Sequence, residues 1–285
     1  MSVISIKDTH KSKRTVGIIF IYMLLILIVF MTITPLLWMV STSLKSDSET
    51  TSIPIVWIPE KPRWENYIRA WNSAPFGNFF LNSIKITLTT TIGLVFFCSL
   101  AGYGFARFNT PLFNFLFSIL LSAMMLPGVV MLIPLFILFR NIGWIDTHWS
   151  LIIPPMFANT FGTFLFRQFF LSIPKDFEEA AIIDGCSLIG VYWRIMMPLA
   201  KPAIATLSIL SFMWNWNEFM RPLVFITSFT KMTVSVGLSV FQGQFSTYYN
   251  LLMAASTLSL IPIFIVYLFA QKYFTQGLVM SGIKG

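Results

Sequence analysis

Six apolar stretches, each about as long as a bilayer is thick, leave this chain few folds to choose from. They run from Val16 to Val40, Asn82 to Phe105, Leu112 to Phe139, Ser150 to Leu171, Pro202 to Ile226 and Leu251 to Phe274. A helix needs about 20 mostly apolar residues to cross about 30 Å of hydrocarbon, and lipid offers its backbone no hydrogen-bond partner. The chain is therefore expected to be an all-α, polytopic membrane protein with six transmembrane helices in one transmembrane domain, residues 1–285. Composition agrees: 56% of residues are hydrophobic and 11% charged, with a mean hydropathy of +0.77, whereas a soluble domain carries about a quarter charged residues.

An even number of spans puts both termini on one side. Lys7, Lys11, Lys13, Arg14, Arg107, Arg167, Lys175, Arg194, Lys201, Lys272 and Lys284 fall on that side, against Lys45, Lys61, Arg63, Arg69, Arg140, Arg221 and Lys231 opposite. Cytoplasmic loops retain Lys and Arg, so the tails 1–15 and 275–285 are expected in the cytoplasm. Lys85 sits one turn inside the second stretch, where its stem can snorkel to the outer interface. The net charge of +8 is explained by this bias, and its scatter argues against nucleic acid. Two cysteines, Cys98 and Cys186, imply no disulfide framework. The first stretch is too long for a cleaved signal peptide and should remain as a span.

Prolines at 35, 127, 134, 154, 155 and 262 interrupt these stretches and are expected to kink them. Between Lys45 and Asn78, Trp64, Tyr67, Ile68 and Trp71 recur at i, i+3, i+4 and i+7. That spacing predicts a short amphipathic helix at the membrane surface or against an external partner.

The only long polar insertion on the side of the termini is residues 174–202, PKDFEEAAIIDGCSLIGVYWRIMMPLAKP. Asp176 and Glu179 have the spacing of a capping box, Ala180 and Ala181 favour helix, and Gly185 suits a tight turn. Ser187 can cap a second arm, in which Leu188, Val191, Tyr192, Ile195 and Met196 form one apolar stripe. Pro198 should end that arm and Pro202 open the next span. A helical hairpin with an exposed apolar face fits either a partner's groove or the membrane surface.

Glu179, Ala180, Ala181, Asp184, Gly185, Ile195, Pro198 and Pro202 resemble the EAA signature of binding-protein-dependent ABC importer permeases. Cys186 stands where that family often has alanine, and Tyr192 where phenylalanine is usual. The resemblance extends over most of the chain and is nearest to carbohydrate permeases of the maltose-transporter type, which WNWNEFMRPLVF, Trp214 to Phe225, also resembles. It implies the type I importer fold and a bacterial inner-membrane location. Residues 174–202 would be the coupling segment, docked through Glu179, Ala180, Ala181, Asp184, Gly185, Leu188, Tyr192, Ile195 and Pro198. Two ATPase copies, a second related permease and an extracytoplasmic solute-binding protein are the implied partners.

No Gly-rich phosphate-binding motif occurs, so energy for active transport must come from another polypeptide. His10 and His148 are the only histidines, both lie outside the apolar stretches, and no nucleophile–base arrangement falls within one. No enzymatic activity, cofactor or metal is expected. A secondary transporter would need buried ionisable groups, and beyond Glu218 the stretches offer almost none. Candidate solute contacts are Trp214, Asn215, Asn217, Glu218 and Asn159, since sugars are held by amides, carboxylates and aromatic faces. A Glu218–Arg221 pair holding helices together is the alternative. A permease for a peptide, an ion or a phosphate ester is the competing reading of the cargo.

Overall fold

The computed structural model describes residues 4–157, 159–243 and 247–282, with side chains from 17 to 269 within those ranges. The side chains of both tails, 1–15 and 275–285, lie outside the described residues. The fold is all-helical, as expected: α1 (Ile4–Ser43), α2 (Asp47–Thr50), α3 (Glu65–Asn72), α4 (Phe76–Arg107), α5 (Pro111–Ser122), α6 (Leu132–Asn141), α7 (Trp149–Phe157), α8 (Thr160–Leu171), α9 (Asp176–Ile183), α10 (Leu188–Val191), α11 (Met197–Leu199), α12 (Lys201–Trp216), α13 (Met220–Phe225), α14 (Val234–Gly237) and α15 (Tyr249–Gly282).

The six apolar stretches do not become six uninterrupted helices. Among the described residues, three helical segments are long and apolar enough to cross a bilayer unaided: Gly17–Ser43, Phe76–Arg107 and Tyr249–Phe269. A fourth arises if Leu188–Leu199 and Lys201–Trp216, bent by 75°, form one span. The third stretch breaks between α5 and α6, where Leu126 is extended ahead of Pro127 (φ −84°, ψ 119°), as steric clash with a following proline requires. The fourth breaks after Pro154 and Pro155, with Asn159 restarting the chain as the N-cap of α8. The fifth breaks between α12 and α13.

The chain separates into two compact units. One runs up to Ala70 and adds Phe241–Leu258. Within it the buried Asn66 donates from Nδ2 to the carbonyls of Ser43 (2.9 Å) and Lys45 (2.8 Å), tying the end of α1 to α3. Lys45 itself is buried, its Nζ 3.8 Å above the Trp38 ring and 3.5 Å from Thr42 Oγ1. The expected amphipathic helix is α3, which begins just after Trp64; Trp64 and Ile68 are exposed, and Trp64 stacks on Tyr67.

The other unit comprises Trp71–Val240 and the chain from Ser259 onward. Its hub is α4, against which α7, α8 and α12 pack. Small residues permit this: a Cβ built on Gly102 would stand 2.6 Å from Phe166 Cβ, and one on Gly162 would stand 2.8 Å from Cys98 Sγ. Close backbone approach at small residues is the usual currency of helix packing in lipid. At one end Asp146, at φ +58°, gathers the amides of Thr227 (3.1 Å) and Ser228 (2.7 Å) and the Lys231 ammonium (2.8 Å). These donors hold the Asp146 carboxyl well below the ordinary carboxylate range.

Candidate functional site

Residues 174–202 form the expected hairpin, with a different start. Lys175, not Asp176, occupies the N-cap of α9 and caps nothing with its side chain. Asp176 and Glu179 instead lie inside the first turn, where their charge favours the positive end of the helix dipole. The end is a Schellman turn: Cys186 N–H donates to Ala181 O (2.9 Å) and Gly185 N–H to Ile182 O (3.0 Å). Gly185 has φ +84°, a conformation that only glycine adopts without strain. Ser187 caps α10 as expected, accepting from Gly190 N–H at 3.2 Å.

The second arm continues through a π-helical turn, Tyr192–Met196, before α11. Pro198 has no N–H to close the ordinary turn, and Met197 N–H reaches back to Tyr192 O instead. Pro202 sits in the first turn of α12, as the sequence suggested.

Most of the apolar stripe of this arm is not exposed; only Leu188, at its start, faces outward. Val191, Tyr192 and Met196 are buried in a cluster with Tyr103, Phe166 and Phe170, because the π turn and the bend after α11 fold the arm back on α4 and α8. Ala181 is buried there too, and Ile195 is half-buried against it. Glu179, Ala180, Asp184, Gly185 and Pro198 face outward. So do Leu188, 58% exposed, and two residues that periodicity overlooked, Ile183 at 85% and Ile189 at 74%. The tip on either side of the Gly185 turn is thus the apolar projection. The sequence signal for this tip is a glycine turn with isoleucines on either side, which helical periodicity does not register.

The second assembly of polar groups lies where the three broken stretches meet. A cavity of about 420 Å³ is lined by Gly128 and Met131 from the first break, Pro154, Pro155 and Asn159 from the second, and Trp214, Asn215, Glu218 and Arg221 from the third. Four of the five candidate solute residues come together here. Asn217 does not: it is exposed, lies outside the lining and donates from Nδ2 to Met213 O at 2.8 Å.

Each polar liner also has structural work. Asn159 Oδ1 accepts from Gly162 N–H at 2.7 Å, capping α8. Glu218 Oε1 accepts from the N–H groups of Met220 (3.0 Å) and Arg221 (3.2 Å) at the start of α13. Its other oxygen lies 3.9 Å from Arg221 Nε, so the pair weighed from sequence exists as a loose contact. Asn215 donates to Ser211 O at 2.8 Å, and Trp214 stands edge-on to Phe161 with ring centres 5.6 Å apart.

Residues 95–279 match the family model of the binding-protein-dependent transport system inner membrane component. The chain belongs to this family. The probable ABC transporter permease protein YurM of Bacillus subtilis is 35% identical to this permease, covering 99% of the chain and 94% of YurM. The arabinooligosaccharides transport system permease protein AraQ of the same organism is 34% identical over 94% of both. Among solved structures, a chain of a bacterial ABC transporter involved in the import of the acidic polysaccharide alginate superposes with a TM-score of 0.81 at 27% identity, covering 92% of the permease and 98% of that chain. The family assignment read from the EAA resemblance is thereby established, with the fold and the membrane-embedded, multi-pass character that go with it. The match takes in the 174–202 hairpin and all the polar residues lining the cavity.

Proposed function

We propose that the permease forms one half of a carbohydrate-conducting pore, paired with a second related permease, fed by an extracytoplasmic solute-binding protein and driven by two ATPase subunits. The chain acts as a single transmembrane permease domain with both termini in the cytoplasm, and it performs no chemistry of its own. The observation that carries the reading is the cavity at the three helix breaks. Irregular backbone at membrane depth is tolerated where it lines a protein interior or a water-filled space, and broken helices in transporters typically surround the substrate. Its lining combines an indole, amides and one ion pair, the groups that bind sugar hydroxyls and sugar faces. AraQ and the alginate importer carry oligo- and polysaccharides by their descriptions, which favours a saccharide over a peptide or an ion.

Glu179, Ala180, Asp184, Gly185, Leu188 and Pro198, joined by Ile183 and Ile189, form the surface that docks in the ATPase. Ala181, Tyr192 and Ile195 support it from within. Nucleotide-driven closure of the ATPase pair then rocks the spans between inward-open and outward-open states. The test uses the permease assembled with its binding protein, second permease and ATPase subunits. Asn215→Ala is expected to lower saccharide uptake and Asn217→Ala to leave it unchanged; equal effects would remove the cavity from the pathway. Deleting Glu179 to Gly185 is expected to release the ATPase during co-purification, and retained ATPase would refute the docking role.

A further inference from the structure

Two adjacent glutamates in α9 meet different surroundings. Glu179 is exposed, whereas Glu178 is buried and meets α4. Neighbouring helix positions lie about 100° apart, so only one of the two can face inward. On α4 three polar residues spaced four apart, Ser99, Tyr103 and Arg107, lie on one face, and each reaches into the hairpin or its approach.

Arg107 Nε donates to Glu178 Oε1 in a direct ion pair, and the guanidinium also donates to Ile173 O at 3.2 Å. Tyr103 OH donates to the other carboxylate oxygen, Glu178 Oε2, at 3.0 Å. One turn back, the hydroxyls of Ser99 and Tyr192 share a hydrogen bond of 2.7 Å. The Tyr103 ring packs on Tyr192 and on Phe170, with centres 5.4 and 5.6 Å away. The side chains of Arg107 and Glu178 are only 9% and 11% exposed. Both arms of the hairpin are therefore fastened to a single helix by largely buried, charge-assisted or hydroxyl contacts. The same helix contributes Leu94 to the polar cavity, thirteen residues from Arg107, or about 20 Å at the rise of an α-helix.

A buried ion pair is a poor device for stability alone, since well-packed apolar residues often serve as well or better. What it provides is a fixed register, because a guanidinium and a carboxylate locked to a tyrosine and a carbonyl leave few alternative geometries. We propose that Arg107, Glu178, Tyr103 and the Ser99–Tyr192 bond are positioning residues that make the hairpin and α4 move as one body. Glu179 faces the ATPase while Glu178 passes the displacement to the spans. This rests on the docking role given above to residues 174–202.

The test measures, in proteoliposomes holding the assembled transporter, saccharide taken up per ATP hydrolysed, with co-purification of the ATPase as a second readout. The informative variant is Arg107→Met/Glu178→Leu, which removes both charges while keeping the packing, so no buried charge is stranded. It is expected to accumulate in the membrane and retain the ATPase, with uptake per ATP falling about fivefold, the scale on which residues between two sites modulate coupling. Tyr192→Phe removes one hydroxyl and is expected to lower the same ratio about twofold. Glu179→Gln should instead weaken ATPase retention. A double variant with an unchanged uptake ratio, or one that fails to accumulate, would make the pair structural glue and overturn the proposal. Loss of the ATPase from the double variant would reassign Glu178 to the docking surface and overturn it as well. An ATPase that fails to co-purify even with the unaltered permease would refute the docking reading itself.

Discussion

Replacing Gly102 by alanine should loosen the permease, although alanine is normally the better helix former. The added Cβ would meet Phe166 Cβ at 2.6 Å and Arg167 N at 2.9 Å, where ordinary contact begins at 3.4 Å. The obstructing atoms are a Cβ and a backbone nitrogen, which cannot swing aside as a side-chain end would. Helix α8 must therefore retreat from α4 by about 0.8 Å along their closest approach, disturbing the cluster that buries Phe166, Phe170 and Tyr103. Overpacking of this kind costs about 1–3 kcal/mol, and the relief of glycine's backbone entropy returns about 0.5–1 kcal/mol. The net expectation is a loss of about 0–2.5 kcal/mol. Gly104 provides the control within the same helix: its new Cβ would meet only Phe113 Cε1 at 3.9 Å. Gly104→Ala should therefore be neutral or stabilising by about 0.5–1 kcal/mol. Thermal unfolding of the purified transporter in detergent, followed by circular dichroism, compares the two. If Gly102→Ala melts as high as Gly104→Ala, the close α4–α8 approach does not exist and the packing argument fails.

Acid should weaken the end of the molecule held by Asp146 in two steps. Burial holds the His148 imidazole below its ordinary value while its ring nitrogen meets Lys231 O at 2.9 Å. With its folded pKa depressed, its contribution is full above about pH 6.5 and falls as the pH drops below that. Asp146, also depressed, contributes fully above its unfolded value of about 3.9 and is lost only below it. Melting temperature measured against pH should therefore decline first below about 6.5, a step that His148→Gln abolishes, and again below about 4, a step that Asp146→Asn abolishes. Ser187→Ala removes the cap of α10 and should cost about 1 kcal/mol locally, read as faster amide exchange at residues 188–191 with the rest of the chain unchanged. Lys45→Met keeps the packing of a buried cation that meets the Trp38 face and, weakly, Thr42 Oγ1, with the Glu49 charge nearby; the lost attraction, about 0.5–2 kcal/mol for the cation–π contact, is offset by relief of desolvation. It should melt close to the unaltered permease, whereas Lys45→Ala should cost about 2–3 kcal/mol through the void it leaves. Equal losses in both would show that the charge, not the stem, matters.

Much of this was legible in the sequence because lipid restricts the alternatives so severely. The all-helical class, the hairpin at 174–202, the turn at Gly185 and the cap at Ser187 each follow from local chemistry. What the sequence concealed depends on partners far along the chain. Which of Glu178 and Glu179 faces inward is decided by Arg107, 71 positions earlier, and no periodicity in an eight-residue helix announces it. The stripe from Leu188 to Met196 looked like an exposed docking face because helical spacing shows only that residues share a side, not what covers that side. Here α4 and α8 cover it from Val191 onward and leave Leu188 exposed.

The interrupted stretches show why polar residues in a span are easily misjudged. A hydropathy window averages over a break, so Pro127 and Pro154–Pro155 read as kinks in otherwise continuous helices. Whether a proline bends a helix or ends it depends on what satisfies the backbone groups it frees. At two of the breaks the answer is a side chain placed just beyond: Asn159 for α8 and Glu218 for α13. An amide and a carboxylate suit sugar hydroxyls, which makes these residues candidate solute contacts, and holding the protein together is the rival role. The geometry shows the structural role for both. A helix broken at membrane depth needs a polar cap, the cap stands beside the space that the break opens, and that space is the polar cavity. Two of the polar residues lining the cavity, Asn159 and Glu218, stand there because helices restart beside it.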